Sequence, residues 1–232
     1  MSAITTIDYL LPGEIVDNLK SKDRHTIIGP GLRRNEENPN KSLIVTQAGW
    51  LRFRSPNTYW IDSRRNRYIP KKGDLVIGIV TKKSGDIVRV DIGSAETASL
   101  SVFSFEGATK KMRPDLNIGD IVYAKLLTAH KDMEPELVCI DQYFRAGRLG
   151  ILSNDGFLVC LNLNLAETLL NAENPLLRTL GKKFPYEIVI GVNGRAWIKA
   201  NQAKDVLTIC KTFEVAKNES EKSIIEACRQ TK

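Results

Sequence analysis

The feature that most limits how this chain can fold is a series of short apolar runs separated by tight turns. Gly73-Asp74 precedes an apolar run over residues 75–80, and Ser84-Gly85-Asp86 leads into residues 87–93, where apolar and polar residues alternate. Two such runs joined by a glycine-containing turn are typical of a β-hairpin. The sequence therefore predicts a hairpin at this position.

Three further strands are predicted after the hairpin, at residues 98–100, 121–126 and 137–141. Gly119-Asp120 opens the middle one, as Gly73-Asp74 opens the first. A glycine also lies just inside the first strand, where a sheet must bend sharply. Five short strands in so compact a segment predict a small closed Greek-key barrel of the OB type.

The segment that precedes this barrel is predicted to be a small β-domain. Strand patterns occur at Leu43–Thr46, Trp50–Arg54 and Tyr59–Ile61, with turn residues between them. The simplest interpretation of Trp50 is an anchor in the core or at a domain junction. Alternatively, Trp50 and Phe53, interleaved with two arginines, belong to a protein interface, so the wet face of this strand contacts either a partner subunit or solvent. The basic stretch Arg64–Arg67 ends the segment as a connector.

The segment that follows the barrel changes from strand to helix periodicity and is predicted to be an α+β module. Helices are predicted at Asn164–Leu170 and Asn174–Gly181, the second with Asn as N-cap and Pro at its first position. Two strands flank residues 191–194, and helical spacing resumes from Asn201, with one more helix over Ser220–Arg229. This order is compatible with a K-homology (KH) fold.

The predicted fold class is therefore mainly β with an α+β part, divided into a β-domain over residues 1–67, an OB-fold barrel over residues 68–142 and a KH module over residues 143–232. No apolar run reaches the roughly 18 residues of a membrane helix. The start of the sequence lacks the basic and apolar regions of a signal peptide, so we expect an intracellular protein without membrane association.

The residue composition argues against hydrolytic enzymes and bound cofactors. The chain has two histidines, His25 and His130, and four cysteines without a C-x-x-C pair, which leaves little for a catalytic triad or a zinc site. It has no phosphate-binding G-x-x-x-x-G-K loop and no G-x-S-x-G motif. We expect no catalytic residue, metal or cofactor. A net charge of +7 is compatible with a polyanionic partner.

Several motifs in a fixed order resemble the S1/KH-type cap subunits of the eukaryotic RNA exosome. The resemblance is most specific between residues 68 and 200, continues more weakly through the N-terminal segment and fades after Asn201. The motifs that carry it are Gly73–Val80 with Ser84–Asp86, Phe105–Lys111, Asp132–Asp141, Gly191–Arg195, and, near the start, Pro12–Glu14 and Gly29–Arg33.

The resemblance implies an N-terminal β-domain, an S1-type barrel and a KH domain in a subunit without activity of its own. In that family three cap proteins sit on a ring of six RNase PH-like subunits, and single-stranded RNA passes through the pore to a separate 3′-to-5′ exoribonuclease. It therefore implies ring and cap subunits as partners, roles in rRNA maturation, RNA surveillance and turnover, and a location in nucleus, nucleolus and cytoplasm.

The candidate RNA contacts are basic and aromatic residues of the barrel. Small OB barrels bind single strands on the face of their second and third strands, with cations on phosphates and aromatic rings on bases. The candidates are Lys82, Lys83, Arg89, Phe103, Phe105, Lys110, Lys111 and Arg113. For Phe103 and Phe105 the alternative is anchoring of their loop to the barrel. With so few aromatic residues in the strands, RNA binding should be weak and independent of sequence.

The tetrapeptide Gly191-Val192-Asn193-Gly194 has two interpretations. It matches the G-x-x-G clamp by which KH domains bind a nucleic-acid backbone, but it carries no basic residue between its glycines. Asn-Gly is also a common signature of a tight turn between strands. We favour the interpretation as a structural motif between domains, held against the barrel.

Two other functions are compatible with the sequence. The carboxylates Asp132, Glu134, Glu136 and Asp141 could hold magnesium for a metal-dependent ribonuclease, although Pro135 among them favours an exposed loop. The chain could also be a free-standing RNA-binding protein built from the same S1 and KH modules.

Overall fold

The structure is a computed structural model that describes residues 4–17, 26–36, 42–63, 67–130, 132–171 and 174–216. The chain divides into two compact units, residues 1–65 and residues 66–232. The predicted helix at Ser220–Arg229 and the connector residues 64–66 lie outside the described residues.

The regular structure described in the first unit consists of strands, in two small sheets. The strands are β1 (Ile4–Leu10), β2 (Ile15–Val16), β3 (Ile27–Ile28), β4 (Leu32–Arg34), β5 (Leu43–Val45), β6 (Gly49–Arg54) and β7 (Thr58–Asp62). The strands of the larger sheet follow the order β1, β6, β7, β3, and those of the smaller one the order β2, β5, β4. Their core contains Leu43, Val45, Leu51, Tyr59 and Ile61, all almost fully buried.

The second unit begins with a closed five-stranded barrel. Its strands are β8 (Leu75–Ser84), β9 (Ile87–Asp91), β10 (Ala98–Ser101), β11 (Ile121–Thr128) and β12 (Glu136–Val138). Strand β8 pairs with β9 and β11, β9 pairs with β10, and β12 closes the circle by pairing with both β10 and β11. Only the β10–β12 pair of the barrel is parallel. This closed Greek-key order confirms the predicted OB barrel.

Alternation along each barrel strand sends one set of side chains into a common core. Val76, Val88, Val90, Leu100 and Val122 are completely buried there. A sixth strand, β13 (Gly150–Ile151), pairs with β11, so the sheet of the barrel extends beyond the predicted boundary at residue 142.

The remainder of the second unit is the predicted α+β module. Its elements are β14 (Phe157–Cys160), α1 (Leu163–Leu170), α2 (Pro175–Gly181), β15 (Tyr186–Ile190), β16 (Arg195–Ala200) and α3 (Ala203–Ala216). The three strands form an antiparallel sheet in the order β14, β16, β15, which packs against helices through Ile198, Ile209 and Phe213.

The start of α2 shows why the local sequence forms a helix there. The Asn174 side chain accepts a hydrogen bond from the N–H of Leu176 at 2.8 Å, which satisfies one of the amides that a helix start leaves without a partner. Pro175 occupies the first helical position, where the N–H that proline lacks would have no intrahelical acceptor.

The structure confirms the predicted fold class, but six of the described strands were missed. Strands β2, β3, β4 and β13 have only two or three residues each, too few to show a periodic pattern. Strand β1 pairs with β6, and β14 pairs with β16 at the edge of the KH sheet. Neither β1 nor β14 combines clear alternation with flanking turn residues. Within the described residues, no helix is both long enough and apolar enough to cross a membrane.

The close packing around Gly78 in β8 gives a prediction about stability. A β-carbon at this position would lie 2.2 Å from Cγ1 of Val90 and 3.3 Å from Cγ2 of Ile92, both in the barrel core. We expect Gly78→Ala to lower the free energy of unfolding by about 1–3 kcal/mol, because the core must shift to admit the methyl group. Urea denaturation measures the change.

Gly181→Ala is the matched control, because a β-carbon there meets nothing within 4 Å and the residue ends α2. It should leave stability unchanged or slightly increased, since alanine is the better helix former. Equal stability of the two variants would contradict the proposed crowding at Gly78.

Candidate nucleic-acid interface

Asn193 joins the KH module to the barrel by side-chain hydrogen bonds. Its Oδ1 accepts from the N–H of Ile77 at 3.2 Å, and its Nδ2 donates to the carbonyls of Ile77 at 2.8 Å and Ile92 at 2.9 Å. The side chain is buried, and the N–H of Val192 adds a bond to the carbonyl of Leu75 at 2.9 Å. The amide thus uses one acceptor and both donors against two barrel strands.

The glycines of this turn allow the close approach. A β-carbon on Gly191 would lie 2.3 Å from Oδ1 of Asn193 and 2.8 Å from the backbone nitrogen of Ile77. Gly194 has a φ of +76°, which glycine adopts without strain, and a β-carbon there would meet the carbonyl of Leu161 at 2.8 Å. Both positions therefore favour glycine for packing reasons.

Arg195 adds a charged contact beside the turn. One guanidinium nitrogen donates to Oδ2 of Asp91 at 2.6 Å, and the other donates to the carbonyl of the same residue. Partial burial alone would raise the pKa of Asp91, but hydrogen bonds from Arg195 and from the N–H of Gly93 lower it overall. The carboxylate is thus held ionised at the junction. The sequence did not predict the Asp91–Arg195 ion pair, because Asp91 is simply one of the polar residues that alternate with apolar ones along its predicted strand.

These contacts leave little of the turn for binding a nucleic-acid backbone. The N–H groups of Gly191, Val192 and Gly194 donate to the carbonyls of Arg195, Leu75 and Gly191, respectively. A clamp needs free amides directed at phosphate oxygens, and three of the four here have intramolecular acceptors. The geometry thus favours the structural interpretation of this motif.

The cations predicted on the hairpin β8–β9 have different surroundings. Lys82 and Arg89 are register partners on neighbouring strands, and Lys82 is exposed. Arg89 forms an ion pair with Glu134, which lies in the loop before β12. Lys83 donates from Nζ to the carbonyl of Leu116 at 3.1 Å. Two of these three cations thus help to hold loops on the barrel.

The loop between β10 and β11 carries the other predicted contacts and folds onto the tip of the same hairpin. Arg113 forms an ion pair with Asp86 at the hairpin turn, and its guanidinium lies 5.6 Å from the centre of the Phe103 ring. Its Nε also donates to the carbonyl of Lys110 at 3.3 Å. Lys110 and Lys111 are exposed. We call this region, formed by Lys82, Lys83, Lys110, Lys111 and Arg113, the basic end of the barrel.

The basic end has cations without intramolecular counter-ions. Within the described residues, the side chains of Lys82, Lys110 and Lys111 form no ion pair or hydrogen bond, whereas Arg113 and the nearby Arg89 are paired with carboxylates. Unpaired lysines at one end of a barrel give a local positive potential that attracts polyanions. This makes the three lysines the strongest of the predicted phosphate contacts.

The aromatic candidates contribute less surface than the sequence suggested. Phe105 is partly buried against the barrel core, and Phe103 lies beneath Arg113 with 38% of its surface exposed. The outward face of β9 and β10 presents Ile87, Arg89 and Ser99 and carries no aromatic side chain in this described part of the barrel. Base stacking on this face therefore has no ring to use.

The carboxylates considered for a metal site have separate partners. Glu134 binds Arg89, Glu136 accepts from the hydroxyl of Thr128 at 3.2 Å, and Asp141 accepts from two backbone N–H groups of its own loop. Asp132 is strongly exposed beside His130. In the described part of the chain, no group of three or more His, Cys, Asp or Glu side chains is placed to hold a metal ion.

The N-terminal unit exposes an apolar surface that differs from the predicted one. Trp50 is 49% exposed and contacts the Tyr9 ring edge-on at 5.2 Å between centres. Phe53 instead contacts Tyr59 at 4.7 Å and packs on the core of the unit. Of the two aromatic residues considered for a protein interface, only Trp50 therefore lies on the exposed face, because residues three apart on a strand point to opposite faces.

Family models of exosome proteins match successive parts of this chain. Residues 8–64 match the mammalian exosome complex component RRP40 N-terminal model, residues 68–150 match the RRP40 S1 domain model, and residues 156–204 match a KH domain model. These matches confirm the S1 and KH character of the two modules and the family resemblance.

Individual relatives agree with the models. The chain is 43% identical to exosome complex component RRP40 of Drosophila melanogaster over 230 residues, which cover 98% of this chain and 96% of that protein. It is 46% identical to the Homo sapiens protein of that name over 198 residues, covering 83% and 70%. A crystal structure of a candidate exosome complex RNA-binding protein has a TM-score of 0.59 at 24% identity, covering 71% of this chain and 97% of that one, and supports the fold alone.

The junction contacts give a second prediction about stability. Asn193→Ala removes three hydrogen bonds and leaves the Ile77 N–H and two carbonyls buried without their partner. We expect the free energy of unfolding to fall by about 2–4 kcal/mol, and limited proteolysis to cut between barrel and KH module sooner.

Asn117→Ala is the matched control, because that side chain is exposed and only its backbone is hydrogen bonded. This variant should change the free energy of unfolding by no more than about 0.5 kcal/mol. If Asn193→Ala lowers the free energy of unfolding by no more than that, the junction does not depend on the amide.

Proposed function

This chain belongs to the family of exosome complex component RRP40, and from that membership we propose that it is a non-catalytic RNA-binding cap subunit of the RNA exosome. In this role it stabilises the ring of RNase PH-like subunits and guides RNA into the central channel for 3′-to-5′ processing and degradation. The processes served are rRNA maturation, RNA surveillance and RNA turnover.

The observation that best supports guidance of RNA is the unequal pairing of the barrel cations. Lys82, Lys110 and Lys111 are exposed and unpaired in the described structure, at the end of the barrel where the hairpin and the β10–β11 loop meet. Lysines attract phosphates without reading bases. A surface of this kind suits a subunit past which many different sequences must slide.

The barrel surface also supports weak rather than tight binding. The β9–β10 face lacks rings for stacking, and Arg89 must leave Glu134 before it can bind a phosphate. Most of the affinity would then come from release of counter-ions, which falls steeply as salt rises. Weak contact that is independent of sequence allows a strand to move on, as threading requires.

The exposed apolar surface of the N-terminal unit is the best candidate for contact with the ring. Ile7, Tyr9, Leu11, Ile15 and Trp50 are each between 45% and 54% exposed. Exposed aromatic and aliphatic side chains grouped on one unit are typical of protein interfaces. The other partners would be cap subunits and single-stranded RNA. The protein would be located in the nucleus, the nucleolus and the cytoplasm. These locations are inferred from the family alone.

The cap assignment is tested by the size of the native assembly and by the activity of the isolated chain. A tagged chain should elute from a native extract in a complex of several hundred kilodaltons together with ring subunits. The purified 26.0 kDa chain should leave single-stranded RNA intact in magnesium. Elution as a lone monomer would favour the free-standing protein, and cleavage lost in Glu134→Gln/Glu136→Gln would favour the nuclease.

The role of the unpaired lysines gives a quantitative prediction. The triple variant Lys82→Ala/Lys110→Ala/Lys111→Ala should bind oligouridylate more weakly, and the slope of log affinity against log salt should become shallower by about 2, since each phosphate contact on a single strand contributes roughly 0.7. Fluorescence anisotropy at several salt concentrations measures both quantities. Degradation by the reconstituted complex should slow as well.

The matched control removes the same charge from the KH module, with Lys182→Ala/Lys204→Ala/Lys211→Ala, whose side chains are exposed. It should change the slope much less. Glu134→Gln should act in the opposite direction and tighten binding, because it releases Arg89. Identical salt slopes for the two lysine triples would disprove a local contact at the basic end.

A further inference from the structure

The loop that leaves the barrel exposes two neighbouring aromatic rings. Tyr143 is 71% and Phe144 is 76% exposed, in the segment from Asp141 to Arg148 that leads to β13. In the described structure neither ring lies in an aromatic pair or a cation–π contact. Both rings are therefore more accessible from solvent than Phe103, which is 38% exposed, or the partly buried Phe105 on the barrel.

Hydrogen bonds from backbone to carboxylate hold this loop in shape. Oδ1 of Asp141 accepts from the N–H of Tyr143 at 2.8 Å and of Arg145 at 3.0 Å, and the N–H of Asp141 donates to the carbonyl of Arg145 at 2.8 Å. Oε2 of Glu106, from the β10–β11 loop, accepts from the N–H of Ala146 at 2.8 Å. The rings are thus presented on a restrained backbone.

The backbone at Phe144 is in a conformation that favours glycine. Its φ is +61°, the only positive φ of a non-glycine residue among the described residues. A side chain there meets a steric penalty that glycine avoids, and such outliers concentrate at functional sites. Residue 144 is therefore a phenylalanine although its backbone conformation alone would favour glycine.

Three exposed cations belong to this loop or to strand β11 beside it. Lys125, Arg145 and Arg148 are exposed and form no ion pair within the described residues. The N–H of Arg145 and, to a smaller extent, the charges of Arg145 and Lys125 lower the pKa of Asp141. Both nearby carboxylates, Asp141 and Glu106, already accept backbone N–H groups, so the cations remain the groups available to an anionic ligand.

We propose that Tyr143 and Phe144, with Arg145, Arg148 and Lys125, form a binding site for single-stranded RNA, in which the rings stack on bases and the cations neutralise phosphates. This combination is the one by which single strands are held without sequence preference. The inference rests on the proposed RNA-binding function, but it places base stacking on the loop after β12 and not on the β9–β10 face of the barrel.

The size and the charge of the site favour RNA over a protein partner. A stable protein interface buries about 800 Å² on each side and has an apolar centre from which charges are depleted. Here two adjacent exposed rings lie on a short loop that also carries Arg145 and Arg148, and the charge of Lys125 reaches Asp141 of the same loop. Two exposed rings match one or two stacked bases.

The test compares the full chain with the variant Tyr143→Ala/Phe144→Gly. Glycine suits the positive φ at residue 144, so thermal melting should show no loss of stability. The variant should bind labelled oligouridylate at least about fivefold more weakly, with an unchanged salt slope. On an abasic ribose-phosphate oligomer of equal length, which offers no base to stack, the two proteins should bind equally.

Two control variants separate the rings from other effects. Phe144→Trp retains a ring and should retain binding, whereas Phe157→Ala removes another exposed ring, 54% accessible, and should not weaken it. Equal oligouridylate affinity of wild type and double variant would overturn the stacking site alone. Absence of any RNA binding by the wild type would overturn both the site and the proposed function. Lost copurification of other subunits at unchanged RNA affinity would show a protein contact instead.

Discussion

The arrangement of the second unit depends on one buried amide. Asn193 lies in the turn between β15 and β16 and bonds to the backbone of Ile77 in β8 and of Ile92 just after β9, which are 116 and 101 positions away in the chain. A buried amide with three satisfied bonds is specific in direction, unlike an apolar contact, because rotation of either module would leave polar groups unpaired. Barrel and KH module are therefore held in a fixed relation.

The same junction explains why a motif that resembles a nucleic-acid clamp is unsuited to that task. The glycines that would let a phosphate approach instead let the backbone of β8 approach, and the amides donate to protein carbonyls. The groups that we propose for RNA binding lie elsewhere. Cations lie at the hairpin end of the barrel, and exposed rings lie on the loop after β12. A stiff unit with charge at its edges can direct a strand without holding it tightly.

Much of the fold could be predicted from the sequence, because the signals involved are local. The five barrel strands show turn residues at their ends or alternation along their length, and Asn174-Pro175 marks a helix start within two residues. The errors came where the local signal is ambiguous. The short apolar run of β14 follows turn residues 154–156 but does not alternate, and considering Trp50 and Phe53 together for one interface overlooked the two-residue period of a strand. Tyr143 and Phe144 were missed because no sequence pattern distinguishes an exposed ring from a buried one.

By itself the sequence determined the β-rich class, the barrel and the α+β module, since hydrophobic periodicity and turn chemistry act over a few residues and do not depend on the rest of the chain. Only the tertiary structure decided which groups are available for binding. Lys83, Arg89 and Arg113 find partners from other loops or strands, while Lys82, Lys110 and Lys111 have none in the described structure. Pairing of charges and exposure of rings depend on residues that lie far apart in sequence, and only folding brings these together.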